Sequence, residues 1–184
     1  MDHDRLAIED LDRLTDADFA QAVAPLFEGA PRFLTRLTAS RPFGSPTEMF
    51  ATARRIAQAM PEPEQLELID AHPRLGAAPG SVSALSFVEQ GYDRDAADAA
   101  AEAERRRVAA ELGRLNTAYE ARFGFRYCVF VAGRPRADLL PGLEAALTAD
   151  RGAELRRAID AVVDIAADRY ASLIERREAG SGPR

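Results

Sequence analysis

His72 stands in the string Asp70-Ala71-His72-Pro73-Arg74-Leu75-Gly76, just past a stretch of helical periodicity. Pro73 disfavours helical geometry at the residue before it and offers no N–H, so the imidazole leaves the chain at a rigid helix-to-loop junction. With an ordinary pKa near 6.5, a histidine aimed in this way is a candidate proton donor at neutral pH. At such a place it also suits a C-cap, where its cation meets the helix dipole. Further along, Ser86-Phe87-Val88-Glu89-Gln90 gathers a hydroxyl, a carboxylate and an amide within one turn. That cluster is fit to read a polar heterocycle and to orient a proton transfer. Ser86 and Glu89 also have the spacing of a capping box, and so of a helix start. Arg169, in Ile165-Ala166-Ala167-Asp168-Arg169-Tyr170, is suited to a bidentate pair with a substrate carboxylate, or to the solvent face of its helix. Cys128 sits in an apolar run, where burial raises a thiol pKa, and belongs with the core rather than with nucleophiles.

The elements that must position these residues are mostly helical. Thr15 caps a helix from Asp16 to about Phe27, with Phe19, Val23 and Leu26 on one face. Pro31 opens the next, through Leu34 and Leu37. Ser45-Pro46-Thr47-Glu48 combines a capping box with proline at the first helical position. The helix it starts reaches Met60, with Met49, Ala53, Ile56 and Ala57 inward, and Pro61 ends it. Glu64 to Asp70 is a short helix carrying Leu66 and Ile69. Residues 71–92 are rich in Pro and Gly and hold at most one short helix, around Ser86. Asp93 to about Arg122 is a long helix that packs through Val108, Leu112, Leu115 and Tyr119 and stops at Gly124. Two more span about 137–149 and 152–178, the last with Leu155, Ile159, Val162, Ala166, Tyr170 and Leu173 on one stripe. Tyr127-Cys128-Val129-Phe130-Val131 is the one strongly extended run. Its backbone groups need partners: a loop, a buried crossover, or a planar, amide-rich ligand.

The prediction is an all-α, single-domain helical bundle of seven to nine helices with one extended segment at 127–131, a core over about 8–178 and a disordered tail at 179–184. A length of 184 residues suits one domain. One Cys and two His exclude an internal disulfide and argue against a structural zinc site. All 24 basic residues are Arg, which removes lysine Schiff-base chemistry and the phosphate-binding lysine of a P-loop. A net charge of -6 argues against general nucleic-acid binding. No apolar run is long enough for a transmembrane helix, and Met1-Asp2-His3-Asp4-Arg5 lacks the apolar stretch of a signal peptide, which predicts a cytoplasmic protein with no membrane partner.

Taken together, these strings resemble the 2-oxo-4-hydroxy-4-carboxy-5-ureidoimidazoline (OHCU) decarboxylases. The His72-Pro73 segment, Ser86-Phe87-Val88-Glu89-Gln90 and Leu115-Asn116-Thr117-Ala118-Tyr119-Glu120-Ala121-Arg122-Phe123-Gly124-Phe125 follow in the family's order and spacing, with the apolar run after them and Phe27-Glu28 before them. The resemblance covers about residues 20–175. Two places depart from it: Gly29-Ala30-Pro31-Arg32 where many members carry His-Ser-Pro-Trp, and Arg126 where many carry Pro.

The resemblance implies an all-helical enzyme, without cofactor or metal, that decarboxylates a ureidoimidazoline to (S)-allantoin in urate degradation. His72 is then the matched proton donor, and Glu89 orients the substrate and assists proton movement at its hydroxyl or ring nitrogen. Pro73, Ser86, Phe87, Val88 and Gln90 fall in the substrate-contacting motifs. The backbone of Tyr127, Cys128, Val129, Phe130 and Val131 pairs with the substrate's amide groups, and Arg169 takes the place of the family's arginine near the chain end. A homodimer is expected. Two other readings stand beside this one: a noncatalytic helical interaction module, and a related enzyme acting on another cyclic ureide.

Overall fold

The computed structural model describes residues 7–92 and 99–180. Among them are nine α-helices and no strand. They are α1 (Ile8–Leu11), α2 (Asp16–Val23), α3 (Pro31–Thr38), α4 (Pro46–Ala59), α5 (Glu62–Ala71), α6 (Ala84–Glu89), α7 (Ala99–Phe123), α8 (Leu140–Ala146) and α9 (Arg151–Gly180). Short 3-10 turns occupy Ala24–Phe27, Pro79–Ser81 and Arg136–Leu139.

Local chemistry sets the helix starts. The Thr15 hydroxyl accepts the amide N–H of Asp18 at 3.2 Å, and the Ser45 hydroxyl accepts that of Glu48 at 3.2 Å. Each satisfies a donor that the first turn leaves orphaned. The start of α6 differs from expectation: Ser83 is the cap, accepting from the amide of Ser86 at 3.2 Å, and Ser86 lies inside the helix. The capping-box reading of Ser86 and Glu89 therefore gives way, and their spacing puts them on one face of α6 instead. Five further differences are small. α1 was not anticipated, and it buries Ile8 and Leu11. The expected helix over 137–149 divides into a 3-10 turn and α8. The helix expected from Asp16 to about Phe27 gives way to a 3-10 turn after Val23, and residues 93–98 of the expected long helix lie outside the described residues. α9 continues through Gly180, two residues into the expected tail, of which 181–184 lie outside the described residues.

The core gathers on the long helices. α9 presents Ile159, Val162 and Ala166, all nearly or fully buried, and packs against α4, α5 and the 3-10 turn at Ala24–Phe27. α7 presents Leu112, Leu115 and Tyr119 and packs on α8. Each large apolar side chain so buried contributes about 1.5–3 kcal/mol. This scaffold brings four pieces of chain to one place: the end of α5, the inner face of α6, the C-terminal half of α9 and the extended segment after Gly124.

Candidate active site

His72 is the C-cap residue of α5, in extended conformation, and 4% exposed. Its Nδ1 lies 3.1 Å from the carbonyl oxygen of Leu68. A carbonyl only accepts, so Nδ1 carries the proton and Nε2 is the acceptor of a neutral ring. Nε2 is buried and has no hydrogen-bond partner among the described residues. Burial pushes the His72 pKa down to about 4, helped by the nearby Arg169 cation and opposed by the Leu68 hydrogen bond and Glu28. The capping geometry and the open nitrogen thus belong to one arrangement. The ring it produces is neutral near pH 7, where the unperturbed value had pointed to a ready donor. Arg126 fixes the turn from outside, donating to the carbonyls of Asp70 at 2.7 Å and His72 at 2.9 Å.

Arg169 is buried, 4% exposed, and not on the solvent face of α9. Nη1 donates to the carbonyls of Pro25 and Leu26, each at 3.2 Å. Nη2 meets the Ser86 hydroxyl at 2.8 Å, Glu28 Oε1 at 2.9 Å and Glu89 Oε2 at 3.0 Å. Its Nε has no hydrogen-bond partner among the described residues. A buried cation needs such company, because desolvation without pairing is costly. The two carboxylates it bridges are pulled apart. Burial raises the Glu89 pKa above the ordinary carboxylate value, against the pull of Arg169. Burial pushes Glu28 the same way, but the Ser86 hydroxyl, Arg169 and the Ser83 hydroxyl outweigh it and hold Glu28 below the ordinary value. One acid is held ionised and the other is biased toward its protonated form.

His72, Pro73, Ser86, Glu89, Gln90, Tyr127, Cys128, Val129, Val131 and Arg169 line one cavity of about 20 Å³, room for a single water. The sequence motifs thus converge. Phe87, Val88 and Phe130 do not join them. Residues 86, 89 and 90 share a helix face that 87 and 88 cannot, and Phe130 packs, partly buried, against the core outside the cavity lining. Phe87 packs on the Tyr92 ring at 5.4 Å, and Val88 is 46% exposed. Leu75 and Ile165 complete the lining and carry no sequence signal beyond apolarity. Glu28 enters the sequence reading only within Phe27-Glu28. Its signal was a lone carboxylate ending the apolar run Ala24-Pro25-Leu26-Phe27.

The extended segment pairs with no strand among the described residues. The carbonyl of Cys128 accepts from Arg157 at 2.9 Å, and that of Phe130 accepts from Arg134 at 2.6 Å. No amide N–H from Tyr127 to Val131 donates to a described protein acceptor, which leaves a row of donors beside the cavity. The Cys128 thiol is pushed up to about 12 by burial and stays protonated. Among the described residues, no three His, Cys, Asp or Glu side chains cluster as a metal would require. Nor is any described helix long and apolar enough to cross a membrane.

A neutral imidazole, a buried carboxyl and a buried guanidinium thus share one small cavity in an all-helical fold, an arrangement of groups able to move protons on a polar small molecule. The chain belongs to the OHCU decarboxylase family, whose model matches residues 12–171. It is 30% identical over 171 residues to the 2-oxo-4-hydroxy-4-carboxy-5-ureidoimidazoline decarboxylase of Haloferax volcanii, covering 91% of this chain and 98% of that protein. It is 27% identical to a uric acid degradation bifunctional protein of Bacillus subtilis, spanning 91% of this chain but 32% of that longer protein. Among solved structures it resembles an OHCU decarboxylase crystallised in the presence of (S)-allantoin, with a TM-score of 0.64, 25% identity, and 83% and 96% of the two chains covered.

Proposed function

We infer that this chain is a carboxy-lyase that takes 2-oxo-4-hydroxy-4-carboxy-5-ureidoimidazoline to (S)-allantoin in urate degradation. One observation carries the mechanism: a buried, neutral His72 whose Nε2 has no hydrogen-bond partner among the described residues, in a cavity it shares with Glu89 and Arg169.

The chemistry follows from the substrate. The carbon that loses carboxylate also bears a hydroxyl, and the neighbouring ring carbon is joined to nitrogen by a double bond. When carbon dioxide leaves, the freed electron pair forms a carbon–carbon double bond and the imine pair moves to nitrogen, which takes a proton. The resulting enol then loses its hydroxyl proton while the ureido-bearing carbon gains one. The ring's own C=N accepts the electrons, so no separate electron sink is called for.

In this reading Glu89, biased toward its acid form, protonates the ring nitrogen. His72 first accepts the hydroxyl proton at Nε2 and then returns a proton to carbon. It is a donor by way of being an acceptor, which suits its neutral state. Leu68 and Pro73 fix the ring, so the proton reaches one face only, and that face sets the (S) configuration. Arg169 Nε, Ser86, Gln90 and the amides of 127–131 hold the oxygen and nitrogen edges of the substrate. The substrate is larger than the cavity, so the lining must give way on entry. The same reading treats residues 8–178 as the core of one domain, takes the protein as a homodimer, as the family resemblance implies, and keeps the expectation of a cytoplasmic protein.

The test is direct. Substrate is generated in situ from urate with the two upstream enzymes, this protein is added, and circular dichroism is followed. Dichroic (S)-allantoin forming faster than the spontaneous decay supports the reading. Racemic product at the spontaneous rate defeats it.

A further inference from the structure

Three donors converge on one oxygen of Glu28. Ser83 Oγ lies 2.8 Å, Ser86 Oγ 2.7 Å and Arg169 Nη2 2.9 Å from Oε1. Glu28 itself is not in the lining of the cavity. Its backbone is left-handed, with φ of 51°, a conformation costly for a residue with a Cβ outside Asn and Asp. A glutamate held in that geometry, with its side chain 12% exposed, is doing something its neighbours require.

Its contacts say what. The Ser86 hydroxyl has one hydrogen, and Glu28 takes it; Arg169 Nη2 occupies one of the two Ser86 lone pairs. What Ser86 keeps for the cavity is a single lone pair. Ser83, the cap of α6, is tied to the same oxygen, so Glu28 also sets where that helix begins. Arg169 is shared between Glu28 and Glu89, so its charge is not Glu89's alone.

We propose that Glu28 is a positioning residue of the decarboxylation, acting through Ser86 and Arg169: it makes Ser86 an acceptor for a substrate N–H, and it divides Arg169 so that Glu89 meets the substrate as an acid. This rests on the function inferred above. It also specifies the substrate edge at Ser86, an N–H of the ring or ureido group rather than a carbonyl.

The experiment uses the full chain with Glu28→Gln and Glu28→Asp, the in situ substrate, and kcat, KM, pH profile and Tm for each. The charged and titratable groups around Glu89 are Arg169 and Asp168 on α9, Glu28, the neutral Cys128 thiol and, in the same cavity, His72. Removing the charge at 28 leaves Arg169 to Glu89, which then gives up its proton at lower pH. Glu28→Gln is expected to lower kcat by about 10- to 100-fold with a smaller change in KM, and to move the alkaline limb of the profile to lower pH. Glu28→Asp keeps the charge and therefore the limb, with a smaller loss in kcat from its shorter reach. Wild-type kcat and limb in Glu28→Gln would overturn the proposal. So would equal losses in both variants with the limb unmoved, since that is a structural effect alone. Should Glu28→Gln not fold, Glu28→Asp decides: wild-type kcat there overturns the proposal. A wild-type protein that makes no dichroic product defeats the functional reading and this inference with it. An active wild type indifferent to position 28 defeats the inference only.

Discussion

His72 donates its Nδ1 proton to the carbonyl oxygen of Leu68, one turn back on α5, across 3.1 Å. A bond that would pass for a helix cap decides the tautomer, and the tautomer decides the chemistry. With Nδ1 occupied, Nε2 is a buried acceptor and the ring enters the reaction as a base.

Replacing the ring should therefore abolish selectivity along with rate. His72→Ala and His72→Gln are each expected to lower kcat by about 10²- to 10⁴-fold, with the residual product racemic. Time-resolved circular dichroism separates the two effects, since racemic allantoin gives no signal while total allantoin still rises. A variant that stays fully stereoselective would remove His72 from the proton path.

The same histidine makes stability depend on pH. Its pKa falls from 6.5 to about 4 on folding, so the unfolded chain binds the proton and the folded one does not. Stability is then lost as pH drops from about 6.5 toward 4, at about 1.4 kcal/mol per unit and about 3 kcal/mol in all. Glu28 has the same sign in a lower window: its folded pKa lies below the ordinary 4.5, so its contribution is present above 4.5 and is lost as pH falls through that lower value. Urea melts at a series of pH values, compared between wild type and His72→Gln, isolate the first window. The variant should lose about 2 kcal/mol less between pH 6.5 and 5.

Arg126 holds the end of α5 by a single nitrogen on two carbonyls, while its amide donates to Asp70 Oδ1 at 2.9 Å. Arg126→Ala is expected to cost about 1–2 kcal/mol and to lower kcat several-fold by loosening the His72 turn. Arg126→Lys, which can still reach both carbonyls with one ammonium, should recover part of each. Thermal melts and steady-state kinetics on the same preparations check this.

Gly76 has a φ of 77°, and a Cβ built there would lie 2.8 Å from Cδ1 of Leu112, a core side chain 1% exposed. Its N–H also donates to Gln90 Oε1 at 2.8 Å, tying the loop after His72 to the end of α6. Gly76→Ala is expected to destabilise by about 2 kcal/mol, part from the left-handed backbone and part from the clash, and to raise KM. Adding Leu112→Val removes the 2.8 Å contact but leaves the 3.3 Å contact with the Leu112 Cβ, so against Leu112→Val alone the Gly76→Ala loss should shrink without vanishing. Denaturant midpoints of the single and double variants measure the two parts.

The residue order by itself determined the helices and much of the site's membership. Caps at Thr15 and Ser45, prolines at 31, 46 and 61 and the apolar stripes of α7 and α9 act over a few residues, and a local signal survives in a linear string. The motifs around His72, Ser86 and residues 127–131 carried most of the cavity's lining for the same reason. Tertiary structure alone decided the electrostatics. Ser86 finds Glu28 at a separation of 58 residues, and Arg169 reaches the carbonyl of Leu26 at a separation of 143. Which charge is buried beside which, and so which acid keeps its proton and whether an imidazole is a cation, depends on distance and desolvation in the packed chain. Neither quantity exists until the helices meet.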